Sequence, residues 1–226
     1  VNTVCIFAAN TNNSLGLPYS KYPPIWRWFG KYDFESLNKQ YDDVLKVNPD
    51  AEFICMIDLN SPDWLQRQLS GRGDSAESDS FTMLSCACAN PDWKEATTEY
   101  LVTVIKHMEE RYGDRVKAYL LACGTTDEWM DYSQGVAGRN KIQEWKKWLK
   151  ENNKGTERVP EFESIDTATF DNFIRDPAKE QNVIDYANFN GELIVDTILS
   201  FAHEARKIIP EKRQIGMFFG YILELT

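Results

Sequence analysis

The chain has 226 residues, of which 42% are hydrophobic and 13% aromatic, enough to bury the core of one large domain. Its formal net charge is -10 and it has no basic stripe, so we expect no nucleic-acid partner, because phosphates would be repelled. No apolar run approaches the ~20 residues of a membrane helix, and we expect no membrane association.

Short apolar runs alternate with helical patterns in the first half of the chain. Residues 1–8 predict a strand buried on both faces of a sheet. A loop rich in Pro and aromatic residues then leads to a helix that starts with Asp33 as N-cap and ends at Asn48. Residues 53–59 predict a second buried strand, and the Gly-, Ser- and Asp-rich stretch 70–80 predicts a loop.

The same alternation continues in the second half. Asn90 is a good N-cap for a long helix that Gly113 is placed to end, and residues 116–123 predict a third strand. The remaining elements are a helix near 141–151, an irregular stretch over 152–183, a helix over 189–209 and a strand over 215–221.

Buried strands that alternate with helices predict an α/β chain with a parallel sheet, either doubly wound or a (β/α)8 TIM barrel. A dinucleotide-binding fold needs a Gly-rich loop after its first strand, and none follows here. We therefore expect the barrel and no cofactor. Only about four strands are predicted where a closed barrel has eight, so we expect residues 1–226 to form a partial barrel domain of a longer protein.

The five cysteines predict buried free thiols rather than a disulfide framework, since their number is odd and the chain is large. Cys86 and Cys88 are too close together for a zinc pair, and the two histidines, His107 and His203, lie far from them in sequence. We therefore expect no metal site.

Polar and aromatic residues follow the predicted strands, at the ends where barrel enzymes place their active sites. Carboxylates carry out acid/base chemistry, amides bind sugar hydroxyls, and flat rings stack on pyranoses, so this set predicts a carbohydrate substrate. The predicted substrate-binding residues are Asn10, Asn60, Trp64, Asp127, Trp129 and Tyr221.

Glu128 is the predicted catalytic acid. A group that protonates a glycosidic oxygen must keep its proton near neutral pH, which Trp129 would favour by excluding water and Asp127 by its like charge. The alternative is that Asp127 and Glu128 form a solvated acidic loop or a charge pair at the start of the next helix. Spacing alone leaves both interpretations open.

Several segments resemble the clan A glycoside hydrolases, especially the family forty-two β-galactosidase type. Within 93–132 the match is a helix, then Tyr112-Gly113-Asp114-Arg115-Val116, then a strand, and then a Glu followed by an aromatic residue. Two further matches are Asn60-Ser61-Pro62-Asp63-Trp64 and Phe218-Phe219-Gly220-Tyr221. The resemblance implies that the strands are the second to fifth of a barrel. It also implies retaining hydrolysis of a β-galactoside-like substrate, with Glu128 as general acid/base.

One residue departs from the family pattern. The acid/base Glu of the family usually follows an Asn that contacts the sugar 2-hydroxyl, whereas Asp127 stands at that position here. The resemblance also implies that the nucleophilic Glu, on the seventh strand, lies beyond Thr226. A non-catalytic carbohydrate-binding barrel and an inactive fragment therefore remain alternatives. A lyase or aldolase would need a strand-end lysine, and Lys117 lies at the start of its strand.

Overall fold

A computed structural model describes residues 2–13, 15–71, 74–132, 137–155, 158–161 and 175–219. In chain order its elements are β1 (Thr3–Ala8), β2 (Trp26–Trp28), β3 (Lys31–Tyr32), α1 (Glu35–Val47), β4 (Glu52–Asp58), α2 (Asp63–Ser70), α3 (Leu84–Ala89), α4 (Pro91–Tyr112), β5 (Val116–Ala122), a 3-10 turn at Thr125–Asp127, α5 (Arg139–Glu151), α6 (Pro177–Arg206) and β6 (Gln214–Gly216).

The main sheet has four parallel strands in the order β1-β4-β5-β6, and β2 and β3 form a separate antiparallel hairpin. Each strand of the main sheet therefore pairs with the next one along the chain, with helices in the connections. The carboxyl ends of β1, β4 and β5 consequently lie side by side at one edge. The prediction of an α/β chain with a parallel sheet is confirmed.

One face of the sheet is covered by helices. In β4, Phe53, Cys55 and Ile57 are fully buried, and the Phe53 ring contacts Tyr41 of α1 and Tyr112 of α4. The alternate side chains of β4, and Phe7 in β1, are only half-buried, and Cys5 is exposed. The prediction of burial on both faces is therefore wrong for β1 and β4 in the described residues, because only one face receives helices there.

The long helix α6 packs on α3 and α4 and closes the helical side of the core. Its Phe201 ring contacts Trp93 of α4 and Trp129, which follows β5. Burial of such large rings is the main favourable contribution to folding in this layer. No helix in the ranges given above is long and apolar enough to cross a membrane.

Most helix boundaries follow the predicted signals, but the starts of α1 and α6 differ, and a third correction concerns short elements. Asn90 caps α4 by accepting hydrogen bonds from the backbone N–H groups of Asp92 and Trp93. However, α1 begins at Glu35, and Asp33 accepts from the Glu35 N–H without being the N-cap residue. Helix α6 begins at Pro177, earlier than predicted, where Asp176 caps it.

The third correction concerns short elements. The hairpin of β2 and β3 lies where a loop was predicted, and α2 and α3 were not predicted. Strand β6 ends at Gly216 and does not continue through 219, while the rest of the predicted strand, with Tyr221, lies outside the described residues. Elements this short carry too few residues for a period to be recognised.

The five cysteines are free thiols. Burial is confirmed for Cys55, Cys86, Cys88 and Cys123, whereas Cys5 is exposed because it lies on the open face of β1. The buried thiols pack as small apolar side chains, and burial raises the pKa of each of them.

Candidate functional site

The Asp58 carboxylate, at the end of β4, joins the carboxyl ends of two strands. One oxygen accepts hydrogen bonds from the Asn10 N–H (2.7 Å), the Thr11 N–H (3.1 Å) and the Thr11 hydroxyl (3.1 Å). The other accepts from the Asn60 N–H at 2.9 Å. Asp58 is fully buried, so these donors replace the water that its carboxylate would otherwise bind. The segment after β1 is thereby fixed to the end of β4.

Asn60 makes the equivalent connection between β4 and β5. Its amide oxygen accepts from the Gly124 N–H at 2.9 Å, and its amide nitrogen donates to the Gly124 carbonyl (3.1 Å) and to the Asp127 carboxyl (3.3 Å). Asn10 is similarly occupied, since its amide donates to the Asp58 carbonyl and accepts from the Trp26 N–H. Both predicted substrate-binding asparagines are therefore buried and hold backbone segments in place.

The segment after β5 has an unusual backbone. Gly124 has a φ of 84°, and Thr126, Asp127 and Trp129 have φ values of 61°, 65° and 54°. A left-handed conformation costs about 1–3 kcal/mol at each non-glycine residue, and such residues concentrate at functional sites. A Cβ on Gly124 would approach the Trp129 backbone at 3.2 Å, so this position requires glycine.

Trp129 anchors the strained segment from inside. It is only 1% exposed, its backbone N–H donates to the Cys123 carbonyl, and its indole N–H donates to the Leu121 carbonyl at 2.8 Å. Its ring packs against Phe201 in the core. The prediction that Trp129 stacks on a sugar is therefore wrong for this arrangement, because its ring is buried in the core.

Glu128 lies between Asp127 and Trp129 in the chain and is half-buried. Its Oε2 lies 2.7 Å from the Thr126 hydroxyl, which also lies 2.6 Å from the Thr125 carbonyl oxygen. The Thr126 N–H in turn donates to the Tyr19 hydroxyl at 3.2 Å, and that hydroxyl donates to Asp79 at 3.5 Å. A chain of contacts from Asp79 to Glu128 thus sets the position of the predicted acid.

Three aspartates lie near this chain of contacts, and the pKa of each is raised. Burial, followed by the charges of Asp58, Asp79 and Glu128, raises the pKa of Asp127 well above its ordinary range. Burial and the Asp58 charge raise the pKa of Asp79 to about 7. Burial also raises the pKa of Asp58, although its hydrogen bonds oppose that shift. Near neutral pH the cluster therefore carries fewer negative charges than its composition implies.

An open cleft of about 570 Å³ lies beside the cluster. It is bordered by the loop after β1, the hairpin residues Trp26 and Arg27, and the start of α2 with Trp64. Asp79 also lines it. Trp64 and Trp129 are the two tryptophans predicted to bind substrate. Trp64 is half-buried and lines this cleft, whereas Trp129 is buried in the core.

The structure thus brings Asn10, Asn60, Asp127 and Glu128 together at adjacent strand ends, with Trp64 at the neighbouring cleft. The predicted Tyr221 lies outside the described residues. Asp79 and Tyr19 were not predicted, since they come from loops with no periodic signal. Asp58 was recognisable as a buried carboxylate at a strand end. Over the described ranges, no group of three His, Cys, Asp or Glu side chains is placed to hold a metal ion.

Comparison with known proteins adds no family assignment. No protein-family model matches the chain, and no curated protein matches it. A functional assignment therefore depends on the geometry of the strand ends and on the chemistry of their side chains.

The protonated state of Asp127 predicts a dependence of stability on pH. An acid with a raised pKa in the folded chain binds a proton that the unfolded chain releases, so stability is full below the unfolded pKa and falls as pH rises through the folded pKa. Asp127→Asn keeps the oxygen that accepts from Asn60 and removes this titration. We expect the thermal midpoint of the variant to fall less than that of the natural protein between about pH 5 and about pH 9.

Asp50→Asn, at an exposed position, is the matched control and should leave the profile unchanged. Thermal unfolding followed by circular dichroism at each pH measures the effect. Identical slopes for the natural protein and Asp127→Asn would contradict the proposed protonation.

Removal of the Asp58 carboxylate should destabilise the fold. Asp58→Ala leaves the N–H groups of Asn10, Thr11 and Asn60 without their acceptor. Loss of a buried acceptor costs about 1–3 kcal/mol for each stranded donor, and partial hydration reduces the sum, so we expect a loss of about 3 kcal/mol. Urea denaturation measures this, with Asp50→Ala as the exposed control. Equal stability of the two variants would show that Asp58 does not hold the strand ends.

Proposed function

We propose that the chain carries the acid/base half of a glycoside hydrolase site, with Glu128 as the general acid/base acting on a β-galactoside-like carbohydrate. The observation that carries the proposal is the backbone around Glu128. Three residues in left-handed conformations hold a half-buried carboxylate at the carboxyl ends of parallel strands. Such strain persists only when the surroundings enforce it, and Asn60 and Trp129 provide that constraint here.

The neighbours of Glu128 suit an acid that later acts as a base. The Thr126 hydroxyl contacts one carboxyl oxygen of Glu128 and leaves the other for a glycosidic oxygen or a water molecule. Asp127 favours its neutral form, so it adds less repulsion than an ionised carboxylate and can donate a hydrogen bond to a sugar hydroxyl. The departure from the Asn of the resembled family is thus smaller in chemical terms than in sequence.

The mechanism under this proposal is retaining. Glu128 protonates the leaving oxygen while a carboxylate nucleophile about 5 Å away attacks the sugar, and Glu128 then activates the water that releases it. Neither Asp58 nor Asp127 is assigned as the nucleophile. The Asp58 carboxylate is occupied by backbone donors, and Asp127 favours its neutral form.

The proposal includes a (β/α)8 barrel as the complete fold, with these strands as its second to fifth. Two observations support it. Consecutive strands pair in chain order, as they do around a barrel, whereas a doubly wound sheet reverses its order. The second face of β1 and β4 is also apolar and half-open, as the inner face of a barrel would be before opposite strands cover it.

A carbohydrate-binding barrel without catalysis is the second candidate. Asp127 favours it, because this residue stands where the acid/base Glu of the resembled family usually follows an Asn. The two candidates differ in one property, the turnover of a glycoside.

Glu128→Gln in the natural full-length protein tests the proposal. Loss of the acid/base should lower kcat for p-nitrophenyl β-galactoside about 10²- to 10⁴-fold, because a carboxamide cannot accept a proton from the water that releases the sugar. Steady-state kinetics over a panel of p-nitrophenyl β-glycosides measures the effect. Glu151→Gln, at an exposed position of α5, is the matched control. Near-normal turnover by Glu128→Gln would rule out the assigned role.

A further inference from the structure

We propose that the three aromatic side chains Trp28, Phe29 and Trp64 form a second sugar-binding position, at which one pyranose unit of an oligosaccharide stacks beside the cleft. We call this cluster the aromatic rim. The inference deepens the proposed function and depends on it for the class of ligand. It assigns binding to residues that take no part in bond cleavage.

The aromatic rim is the outer end of a stack that begins in the core. Trp26 lies parallel to Tyr100, with ring centroids 4.7 Å apart, and meets Trp64 edge-on at 5.4 Å. Trp64 in turn contacts Trp28 at 4.8 Å and Phe29 at 5.0 Å. The Trp64 indole N–H donates to the Trp26 carbonyl, which fixes the orientation of its ring. The outer rings are therefore held by buried ones.

The outer rings are open to solvent despite this support. Trp28 is 39% exposed and Phe29 is 41% exposed. They lie at the tip of the hairpin of β2 and β3, where Gly30 takes a φ of 62° and turns the chain. Rings fixed before binding lose little conformational entropy when a ligand stacks on them. Rigid, exposed aromatic rings at a cleft are therefore suited to binding a flat apolar surface.

The cleft beside the aromatic rim supplies the polar partners that a sugar needs. Trp64 lines the cleft together with the amide side chains of Asn12 and Gln66. A pyranose has an apolar face for the rings and a border of hydroxyl groups for the amides. Flat rings next to amide groups match this combination of surfaces.

The charges around the cleft favour a neutral ligand over an anion. Its two arginines are each paired with a carboxylate, Arg27 with Asp33 at 3.1 Å and Arg67 with Asp63. Glu77, an exposed carboxylate of the lining, would repel an anion. A neutral oligosaccharide needs neither arginine as a counter-ion, so both ion pairs can persist when it binds.

The cleft also adjoins the segment that holds Glu128. Asp79 lines the cleft and contacts Tyr19, and the Tyr19 hydroxyl accepts a hydrogen bond from the Thr126 N–H. The Thr126 hydroxyl in turn contacts Glu128. An oligosaccharide with one unit near Glu128 can therefore extend another unit toward the aromatic rim, so the rim would select for chain length.

Binding measurements on an inactive protein test this. Glu128→Gln, alone and combined with Trp28→Ala or Phe29→Ala, is titrated with β-linked galacto-, gluco- and xylo-tetrasaccharides and with the monosaccharides, followed by isothermal titration calorimetry. We expect at least one tetrasaccharide to bind, and each alanine variant to weaken it about tenfold while leaving any monosaccharide binding unchanged. Trp28→Phe keeps a flat ring and should restore most of the affinity.

Trp148→Ala, at a half-buried tryptophan of α5 that does not line the cleft, should leave affinity unchanged. The proposal is overturned if no tetrasaccharide binds or if either alanine variant binds as tightly as its parent. Loss of binding on Trp28→Ala together with normal hydrolysis by Glu128→Gln would retain the aromatic rim and reject the proposed acid/base. Loss of hydrolysis by Glu128→Gln together with unchanged tetrasaccharide affinity of the alanine variants would retain the proposed acid/base and reject the aromatic rim.

Discussion

The buried carboxylate of Asp58 is the interaction on which the arrangement of the strand ends depends. A parallel sheet brings the carboxyl ends of its strands to one edge, but it does not set the paths of the chain beyond them. Asp58 sets them by accepting hydrogen bonds from the segment after β1 and from Asn60 after its own strand. Asn60 then binds both backbone groups of Gly124 and so fixes the exit from β5. One buried charge thereby places three loops.

This arrangement has an electrostatic consequence. Asp58, Asp79 and Asp127 lie close enough that each disfavours the ionisation of another, and burial disfavours the ionisation of all three. Asp58 receives compensating hydrogen bonds, whereas Asp127 receives a single one from Asn60. Environments that separate the protonation states of neighbouring carboxyl groups are typical of acid/base sites. Glu128 is half-buried and lies within the backbone segment of positive φ that follows β5.

The sequence predicted the strands and the longer helices because their apolar periods extend over enough residues. It also placed Asn10, Asn60 and Asp127 at neighbouring strand ends, since a residue that follows a buried parallel strand must lie at that edge. The direction of each side chain was not predictable. Asn60 turns inward to reach Gly124, and the Trp129 ring packs inward against Phe201. Asp79 comes from a loop whose path depends on contacts distant in sequence, so no local signal could identify it.

A crystal structure of the Glu128→Gln protein with a bound β-linked tetrasaccharide tests the central claim most directly. The account predicts a glycosidic oxygen within about 3 Å of the side chain at position 128, at hydrogen-bond distance. A further sugar unit should stack on Trp28 or Phe29. An oligosaccharide bound with no glycosidic oxygen near position 128 would contradict the account.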